Sequence, residues 1–371
     1  MPVELITMTR LKLGEIAHEY KGKAKESEMG VLPIVGLEHL SSGDIDLVGF
    51  SEGGESTFTK KFLPGHVLFG RRRAYQRKAS LAEFPGICSG DITVIEADEG
   101  ALEPRLLPFI IQNDSLFDFA VENSAGSLSP RVKWARLAEY ELDLPTLEKQ
   151  RELADVLWAA QDVRRKYKQL LRASDDIVKS RFVEMFGDPV TNSKGLEIGS
   201  VTDYSENLDS MRIPITQGDR IPGPYPYIGA SGAVDSVEGY IFDETLLLVS
   251  EDGANLLMRS TPIAFTVTGK TWVNNHAHVL RCHNDSVRVY IETLINMIDI
   301  SEWVTGTAQP KLNQKSLNKI PIPMGDESDV ESFAAFVEQV DKSKVALQQS
   351  LDELNATMAA ILNEELGTRD V

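Results

Sequence analysis

Two long segments of the chain repeat their apolar residues at alternating steps of three and four positions. Such spacing lines one narrow face of a helix and is typical of a coiled-coil seam. It predicts one helix within 146–187 and another within 326–371, each about 40 residues and roughly 60 Å long. The expected seam residues are Leu153, Val156, Ala160, Val163, Tyr167, Leu170, Ser174 and Ile177 in the first helix, and Phe333, Val337, Val340, Lys344, Leu347, Leu351, Leu354, Met358 and Ile361 in the second.

The ends of both helices carry recognisable signals. Thr146 is the expected N-cap of the first helix, and Gly187, followed by Pro189, is expected to end it. Ser328 with Glu331 forms a predicted capping box for the second helix. These signals place the predicted boundaries at 146–187 and 326–371.

The rest of the chain alternates short apolar runs with turn residues. Runs rich in β-branched and aromatic residues, bounded by Gly, Pro, Asn and Asp, predict strands. Short helical stretches at 103–114 and 287–299 interrupt them. We therefore predict two mixed α/β units, 1–145 and 188–325, each followed by one long helix. The predicted strands lie at 31–37, 66–70, 91–97, 225–231, 245–250, 262–269 and 278–282.

The chain also repeats itself at a spacing of 180 residues. The segment GSLSPRVKWARLAEYELDLP (126–145) has a weak echo in GTAQPKLNQKSLNKIPIPMG (306–325). An internal repeat predicts two copies of one architecture, here related by a pseudo-twofold axis. The matched pairs are Gly126 with Gly306, Pro130 with Pro310, Arg131 with Lys311, and Leu137 with Leu317.

The charges of the two helical segments suggest how they are arranged. Segment 146–187 has nine cations and seven acids, for a net charge of +2, whereas segment 326–371 has three cations and eleven acids, for −8. Opposite charge favours pairing, so we expect two paired helices that separate two globular α/β units. The alternative is that two unrelated long helices pack on separate cores.

Composition places the chain among ordinary globular proteins, with 42% hydrophobic and 25% charged residues. No apolar run approaches the roughly 18 residues that span a bilayer, and residues 1–30 lack the core of a signal peptide. Two cysteines, Cys88 and Cys282, imply no disulfide framework. A reducing cytoplasm is therefore the expected location.

One cationic stretch stands out from the overall charge of −18. Residues 70–80 read GRRRAYQRKAS, and no acid occurs between Glu55 and Glu83. Arginine pairs with guanine and with phosphate, and glutamine pairs with adenine, so the stretch is a candidate DNA contact. The acidic remainder does not exclude this, because charges beyond about 8–10 Å are largely screened at physiological salt. The other interpretation is a solvated charged loop.

Three other motifs point less clearly to chemistry. TVTGKT (266–271) has Ala264 where a phosphate-binding loop needs glycine, and GFSEGGES (49–56) does not open a helix. In NNHAHVLRCH (274–283), strand alternation puts His283 on the opposite face from the other histidines and the cysteine, which disfavours a zinc site. We therefore predict a binding protein without a metal or a catalytic site of its own.

With the repeat, the helices and the cationic stretch in place, the chain resembles the DNA-specificity subunit of type I restriction–modification systems. The resemblance spans essentially the whole chain, although the TAQPKLNQ of the second copy is degenerate in the first. The residues that carry it are LPIVGLEHL (32–40), GHVLFGRRRAYQRKA (65–79), LPTLEKQRELADVL (144–157), FGDP (186–189), PYPYIGASGAVDSVEGYIFDETLLLVSEDGAN (224–255), WVNNHAHVL (272–280) and GTAQPKLNQKSLNKIPIP (306–323).

The resemblance implies that 1–145 and 188–325 are target recognition domains, each reading one half of a split, asymmetric site in double-stranded DNA. Segments 146–187 and 326–371 would be two antiparallel spacer helices that dock two modification subunits, which use S-adenosylmethionine to methylate adenine. Motor–nuclease subunits using ATP and Mg²⁺ would complete the complex. This chain would hold no cofactor or metal and would not be catalytic.

The candidate DNA-binding residues fall into one set in each unit. The first set is the cationic stretch, and the second combines polar residues of 255–278 with the family motif near 307–314. They are Arg71, Arg72, Arg73, Tyr75, Gln76, Arg77 and Lys78 in the first unit, and Asn255, Lys270, Asn274, Asn275, His276, His278, Thr307, Gln309, Lys311 and Gln314 in the second.

Two rival functions remain open at this point. The chain could be a coiled-coil adaptor that bridges two protein partners, with the cationic stretch docking an acidic protein. It could also be the specificity subunit of a two-gene restriction enzyme that cuts on both sides of its site. Neighbouring reading frames would separate the second rival from a three-subunit system.

Overall fold

The structure, a computed structural model, describes residues 8–54, 56–306 and 308–366. The chain forms two compact units: unit 1 comprises Met1–Tyr167 with Gln349–Val371, and unit 2 comprises Lys168–Gln348. The four predicted domain boundaries stay a prediction, because each long helix contributes its two ends to different units. Among the described helices, none is long and apolar enough to cross a membrane.

Unit 1 is a mixed α/β unit built around a four-stranded antiparallel sheet of order β2-β8-β5-β6. A three-stranded sheet, β3-β7-β4, and the antiparallel pair β1–β9 complete it. The elements are β1 Thr9–Lys12, α1 Leu13–Ile16, β2 Ala17–Glu19, β3 Ile34–Val35, β4 Lys60–Phe62, β5 Val67–Gly70, β6 Ala79–Leu81, β7 Gly86–Cys88, β8 Ile92–Ala97, α2 Leu107–Ile111, α3 Asp114–Glu122, α4 Trp134–Leu137, β9 Glu141–Leu144 and the first part of α5 Leu147–Phe186.

Unit 2 has the same plan. Its antiparallel sheet has the order β11-β18-β15-β16, accompanied by the sheet β13-β12-β17-β14 and the pair β10–β19. The elements are β10 Glu197–Ser200, α6 Val201–Tyr204, β11 Ser205–Asn207, β12 Tyr225–Gly229, β13 Gly232–Val237, β14 Phe242–Asp243, β15 Leu246–Ser250, α7 Asn255–Met258, β16 Ala264–Val267, β17 Lys270–Val273, β18 Ala277–Cys282, α8 Asp285–Met297, α9 Gln314–Leu317, β19 Pro321–Met324 and α10 Glu327–Glu365.

The 180-residue repeat is a repeat of structure as well as sequence. Strand β9 and helix α4 recur as β19 and α9 at that offset, and the last residue of β5, Gly70, corresponds to Ser250 of β15. The opening β1–α1–β2 recurs as β10–α6–β11, with Thr9 matching Glu197, 188 residues on. The change of offset shows that the copies differ by insertions between conserved elements. The predicted α/β fold class with an internal repeat is confirmed.

The two long helices run for 40 and 39 residues, as the apolar spacing predicts. In unit 1, Leu153 near the start of α5 shares a buried core with Met358 near the end of α10. In unit 2, Phe182 near the end of α5 shares a core with Phe333 near the start of α10. Each helix start therefore packs with the end of the other helix, which is the antiparallel arrangement.

Half of the predicted seam of α5 is wrong. Val156, Val163, Leu170 and Ile177 are 52%, 41%, 50% and 53% exposed, and they follow one another at seven-residue intervals on one helix face. The buried and half-buried positions fall one residue later, beginning with Leu157. The predicted seam of α10 is confirmed at Phe333, Val337, Leu351 and Met358, which are all buried. Helix α5 thus carries an apolar stripe that the described residues leave exposed.

Candidate nucleic-acid interface

The cationic turn, residues 71–78, directly follows strand β5 of unit 1. Two of its arginines adopt the left-handed backbone conformation, Arg73 with φ 55° and Arg77 with φ 50°, on either side of the short helical turn Ala74–Gln76. Residues with a Cβ atom rarely adopt this backbone conformation, because the Cβ comes too close to the following carbonyl oxygen. The turn is therefore held by its surroundings, and such held conformations often belong to binding sites.

The backbone of the turn is fixed by the repeated segment near Pro130. The Arg73 amide donates to the Pro130 carbonyl at 2.8 Å, and the Val132 amide donates to the Arg71 carbonyl at 3.0 Å. These two bonds attach the turn to the very motif that the sequence repeat duplicates. The echo of the family motif in the first copy thus has a structural role.

One carboxylate joins the turn to the same motif through side chains. Asp91 accepts from the Arg131 Nε at 2.7 Å and from Arg72 Nη1 at 3.4 Å, and Arg72 also donates to the Ser129 hydroxyl at 3.0 Å. The Arg131 hydrogen bond, helped by the charge of Arg72, holds the pKa of Asp91 below its usual range. Arg72 is therefore positioned by other protein groups.

Two further cations of the turn are engaged within unit 1. Arg77 bonds Asp114 and, at 2.6 Å, Asp118 of helix α3. Lys78 Nζ donates to the Leu37 carbonyl at 3.0 Å, and Arg71 is half-buried. The predicted DNA-contact stretch is thus partly a structural clamp. Its exposed members are Arg73, Tyr75, which is 56% exposed, and Gln76.

The corresponding turn of unit 2 has the opposite charge. The Gly253 amide donates to the Pro310 carbonyl at 3.1 Å, and the Leu312 amide donates to the Glu251 carbonyl at 2.8 Å. These bonds repeat those of Arg73 and Val132 at an offset of 180 residues. The positions that hold Arg71, Arg72 and Arg73 in unit 1 therefore hold Glu251, Asp252 and Gly253, the acidic turn, in unit 2.

The acidic turn is surrounded by cations. Glu251 accepts from Arg212 at 2.7 Å and pairs with Lys311 at 3.0 Å, while Asp252 lies 2.8 Å from the exposed ring of His276. Burial by itself would raise the pKa of Glu251, but the bonds from Arg212 and Lys311 outweigh it and lower that pKa. The acidic turn therefore presents carboxylate oxygens next to the cationic side chains of Arg212 and Lys311 and next to the ring of His276.

His278, predicted as a surface donor, is instead a buried structural residue. Its ring is 1% exposed, with Nδ1 2.6 Å from Asp209 and Nε2 2.7 Å from the Leu312 carbonyl. Both partners are acceptors, so both contacts are hydrogen bonds only when the ring carries two protons. Both faces of β18 are buried from Ala277 to Leu280, so the strand offers this side chain no exposed position. His278 positions the segment next to the acidic turn and is not available to DNA.

Two of the predicted asparagines also form hydrogen bonds within the protein. Asn274 is 5% exposed, and its side chain accepts from the His276 amide at 2.8 Å. Asn255 uses both polar atoms to close the turn at Ser260 and Thr261. Both were predicted to contact DNA, and the structure shows them stabilising local loops. Asn275 is exposed, as the prediction requires.

Lys270 lies in an aromatic cluster that the sequence did not reveal. Its ammonium is 4.8 Å from the ring centroid of Tyr240 and 5.8 Å from that of Tyr225, and the two rings meet edge to face at 5.1 Å. Such cation–π contacts hold a lysine over an aromatic face. Lys270 and Tyr240 are both exposed. An exposed aromatic ring such as that of Tyr240 can stack on a base.

The last candidates belong to the family motif. Thr307 lies outside the described residues. Gln309 and Gln314 are exposed, and Lys311 is half-exposed while paired with Glu251. The motif thus lies against the acidic turn and shares its surface with His276.

Three of these side chains also resemble a metal site. Asp209, Glu251 and His278 bring one ligand atom each within 4.8 Å of one another. Arg212 already bonds Glu251 and lies 3.5 Å from Asp209, so protein cations balance the carboxylates. The cluster is best explained as an internal charge network.

Sequence reasoning missed several residues of these clusters. Asp91, Asp209 and Arg212 come together with the turns only through the fold, and no local pattern marks them. Glu251 and Asp252 could have been found by extending the 180-residue offset back from Pro130 and Pro310 to the turns.

Comparison with known proteins relates part of the chain to a described protein family. Residues 193–356 match the family described as the type I restriction modification DNA specificity domain. These residues therefore contain a domain of this family, and over them the resemblance drawn from the sequence is confirmed.

Two individual proteins also resemble the chain. The chain is 31% identical over 117 residues to a Haemophilus influenzae protein that carries the name of a type I restriction enzyme specificity subunit; the match covers 32% of this chain and 30% of the relative. The crystal structure of the S subunit of a type I restriction–modification system from M. genitalium superposes with a TM-score of 0.57 at 12% identity, covering 100% of this chain and 98% of that one. The chain has the fold of a type I specificity subunit.

Proposed function

We propose that this chain is the DNA-specificity subunit of a type I restriction–modification complex. Each unit reads one half of a split, asymmetric site in double-stranded DNA and directs partner subunits to methylate adenine and to restrict unmodified DNA. The observation that carries the proposal is one recognition fold present twice, with turns of opposite charge held by equivalent hydrogen bonds. Two different surfaces in equivalent positions suit two different half-sites.

The chemistry of the two turns supports different base preferences. In unit 1, Arg73 and Gln76 offer donors suited to guanine and adenine edges, and Tyr75 adds an exposed ring. In unit 2, Asp252 offers an acceptor suited to the amino group of cytosine, beside the donor His276. These assignments rest on the side-chain chemistry of the exposed and half-exposed residues of the two turns.

The exposed stripe on α5 supports docking of partner subunits. Apolar residues at seven-residue intervals on one helix face form a surface that a second helix can cover. We propose that the modification subunits dock there, bringing S-adenosylmethionine, and that motor–nuclease subunits supply the ATP- and Mg²⁺-dependent steps. This chain itself contributes recognition and no catalysis, and it acts in the cytoplasm, where the DNA is.

Genome-wide detection of methylated adenine, with and without this gene, tests the function. We expect a split motif that is methylated in the parent strain and unmethylated in the deletion strain. Restoring the gene on a plasmid should restore the motif. An unchanged methylome in a strain shown to express the complex would favour the coiled-coil adaptor instead.

A charged substitution on the stripe tests the docking surface. Leu170→Glu should weaken co-purification with the modification subunit, because a carboxylate would be buried against an apolar partner helix. Val183→Glu is the matched control, since Val183 is 43% exposed on the same helix but off the seven-residue register. Equal loss in both variants would remove the stripe as the specific contact.

A further inference from the structure

The most exposed large apolar side chain among the described residues is that of Leu128, which is 92% exposed. It lies at the tip of the motif loop, residues 125–131. The Ala125 amide donates to the Arg131 carbonyl at 3.0 Å, and the Arg131 amide donates to the Ala125 carbonyl at 2.9 Å, so this pair of bonds closes the loop. Single exposed apolar residues are common on protein surfaces. The role of Leu128 therefore depends on where its loop lies.

The motif loop is attached to the cationic turn directly beside Leu128. The neighbouring Ser129 hydroxyl accepts from Arg72 Nη2 at 3.0 Å and from Arg72 Nε at 3.2 Å. The next residue, Pro130, accepts from the Arg73 amide at 2.8 Å. Leu128 thus lies next to the arginines proposed to contact DNA, on a loop that is fixed before any partner binds. A fixed loop loses little conformational freedom on binding, which favours a contact made there.

The charge around Leu128 is positive. Segments 71–73 and 126–133 together hold five cations and no acid. Asp91, which accepts from Arg72 and Arg131, balances only part of this charge. A partner that covers Leu128 must therefore carry negative charge and also offer an apolar group.

The major groove of DNA meets both requirements. Phosphates border the groove, and the base edges inside it present mostly hydrogen-bonding groups. The C5 methyl group of thymine is the apolar exception, and apolar side chains contact it. Because the adjoining turn is proposed to contact DNA, a thymine methyl is the apolar group that this surface would meet.

The equivalent loop of unit 2 ends in a small side chain. Two bonds of 2.8 Å between Thr305 and Lys311 close it, as the corresponding pair closes the motif loop. The residue 180 positions after Leu128 is Ala308. A large apolar side chain at the tip is therefore not needed to form this loop, which favours a role in binding for Leu128.

Unit 2 presents large apolar side chains from a longer turn instead. The left-handed residues that flank the short helical turn are four positions apart in unit 1 and six apart in unit 2, where they are Gly253 and Arg259. Arg259 fixes the far end of this turn by donating to two carbonyls at the C-terminal end of α8, at 3.2 and 2.5 Å. Between these fixed ends, Leu257 and Met258 are 48% and 72% exposed.

We propose that Leu128 in unit 1, and Leu257 with Met258 in unit 2, contact thymine methyl groups in the major groove and so help to determine the two half-sites. The inference rests on the proposed function and adds apolar contacts to the polar ones assigned there. Because the apolar residues come from different loops in the two units, the thymine positions that they select differ between the half-sites.

Replacement of thymine by deoxyuridine, which lacks only the methyl group, tests the proposal. The probes are duplexes carrying the methylated split motif, each with one thymine replaced, titrated with the complete complex. For the wild type, one replacement in the first half-site should weaken binding about fourfold, the value for one buried methyl-sized group. For Leu128→Ala, the unreplaced duplex should bind about fourfold more weakly, and the same replacement should cause no further loss, because both changes remove one contact.

Two further variants serve as controls. Met258→Ala should remove the effect of a replacement in the second half-site and leave the first half-site unchanged. Val31→Ala shortens a side chain of unit 1 that is 75% exposed but lies outside the motif loop, and it should change neither. A replacement effect that persists in Leu128→Ala, or a wild type insensitive to every replacement, would overturn the inference and leave the proposed function standing.

Two other outcomes are distinguished by the same samples. Weaker binding of the modification subunit by Leu128→Ala, with the effect of thymine replacement retained, would assign Leu128 to a protein contact and overturn the inference. A wild-type complex without preference for the motif would overturn the proposed function itself. Thermal unfolding of Leu128→Ala should match the wild type, because a side chain exposed to this extent contributes little packing.

Discussion

Units 1 and 2 share the backbone arrangement of the turn but differ in whether the charged side chains around it are exposed or buried. In unit 1, the Arg72–Asp91–Arg131 cluster is partly exposed, and Arg73 projects without a described side-chain partner. In unit 2, Asp209, Glu251 and His278 lie largely inside, and Asp252 with His276 remains at the surface. The comparison shows that the same frame can present opposite charge, so recognition chemistry is separable from fold.

The largest expected effect concerns the buried network of unit 2. His278→Ala should lower the free energy of unfolding of that unit by about 3 kcal/mol, because Asp209 and the Leu312 carbonyl would lose their buried donor. Hydrogen exchange of strand amides in β15 and β18 measures it. His66→Ala in unit 1 is the control: His66 is 5% exposed, but its ring accepts a local hydrogen bond from the Leu63 amide and lies 3.9 Å from Glu96, which is partly exposed, so the loss should cost less. Equal losses of unfolding free energy in the two variants would contradict the larger role assigned to the buried network of His278.

The next effect concerns DNA binding by the cationic turn. Arg72→Ala with Arg73→Ala should weaken binding of the complex to its site and reduce the salt dependence of the affinity by about one unit, the contribution of one cationic contact with DNA. Titrations at several salt concentrations measure this slope. Because Arg72 is tied to Asp91 while Arg73 is exposed, Arg73→Ala alone should account for most of the change. Arg105→Ala serves as the control, because Arg105 is exposed and pairs with Asp155 of helix α5. An unchanged slope in the folded double variant would remove the turn as a DNA contact.

The acidic turn should control only one half-site. Asp252→Asn removes an acceptor while keeping the shape, so the methylated motif should relax or change at one position of the second half-site, costing about 1–3 kcal/mol of discrimination there. Methylome sequencing of the variant strain reports both halves at once. A change in the first half-site instead would mean that the turns do not act separately.

The smallest effect is a pH dependence in unit 1. The folded pKa of Asp91 is depressed, so its contribution to stability is complete above its unfolded pKa, near 4, and is lost as the pH falls through the lower folded pKa. Asp91→Asn should remove about 1 kcal/mol at neutral pH and nothing in strong acid. Unfolding of both proteins in denaturant between pH 2 and pH 7 checks this, and a constant difference across that range would contradict it.

Much of the fold was predictable because its signals are local. Each predicted strand overlaps an observed one, and Gly187, with φ 79°, follows the last residue of α5 as predicted. The expected capping box of α10 was wrong: the helix begins at Glu327, and the Val330 amide donates to the Asp326 carbonyl, so Ser328 is inside the helix. Strand β13 was missed because its two valines, Val234 and Val237, are three residues apart and do not give the alternation of a half-buried strand.

The site was less predictable, because its residues meet only in three dimensions. Charge counting identified the cationic turn but could not show that Arg77 and Lys78 are used internally, since Asp114 and Leu37 are distant in sequence. Likewise, polarity suggested a surface position for His278, although a buried carboxylate 69 residues away accounts for it. Seven-residue spacing on α5 was found, but not that half of those residues face outward.

The bonds that anchor both turns use only main-chain atoms: the amides of Arg73 and Gly253 and the carbonyls of Pro130 and Pro310. Substitution of the side chains at 71–73, 251 or 252 leaves these main-chain bonds available, whereas position 253, with φ 109°, has to stay glycine. After a duplication, one copy could therefore acquire a new target by a few point changes while the other kept its own. The same property makes the turns suitable positions for laboratory retargeting, in which residues are exchanged between copies without rebuilding either domain.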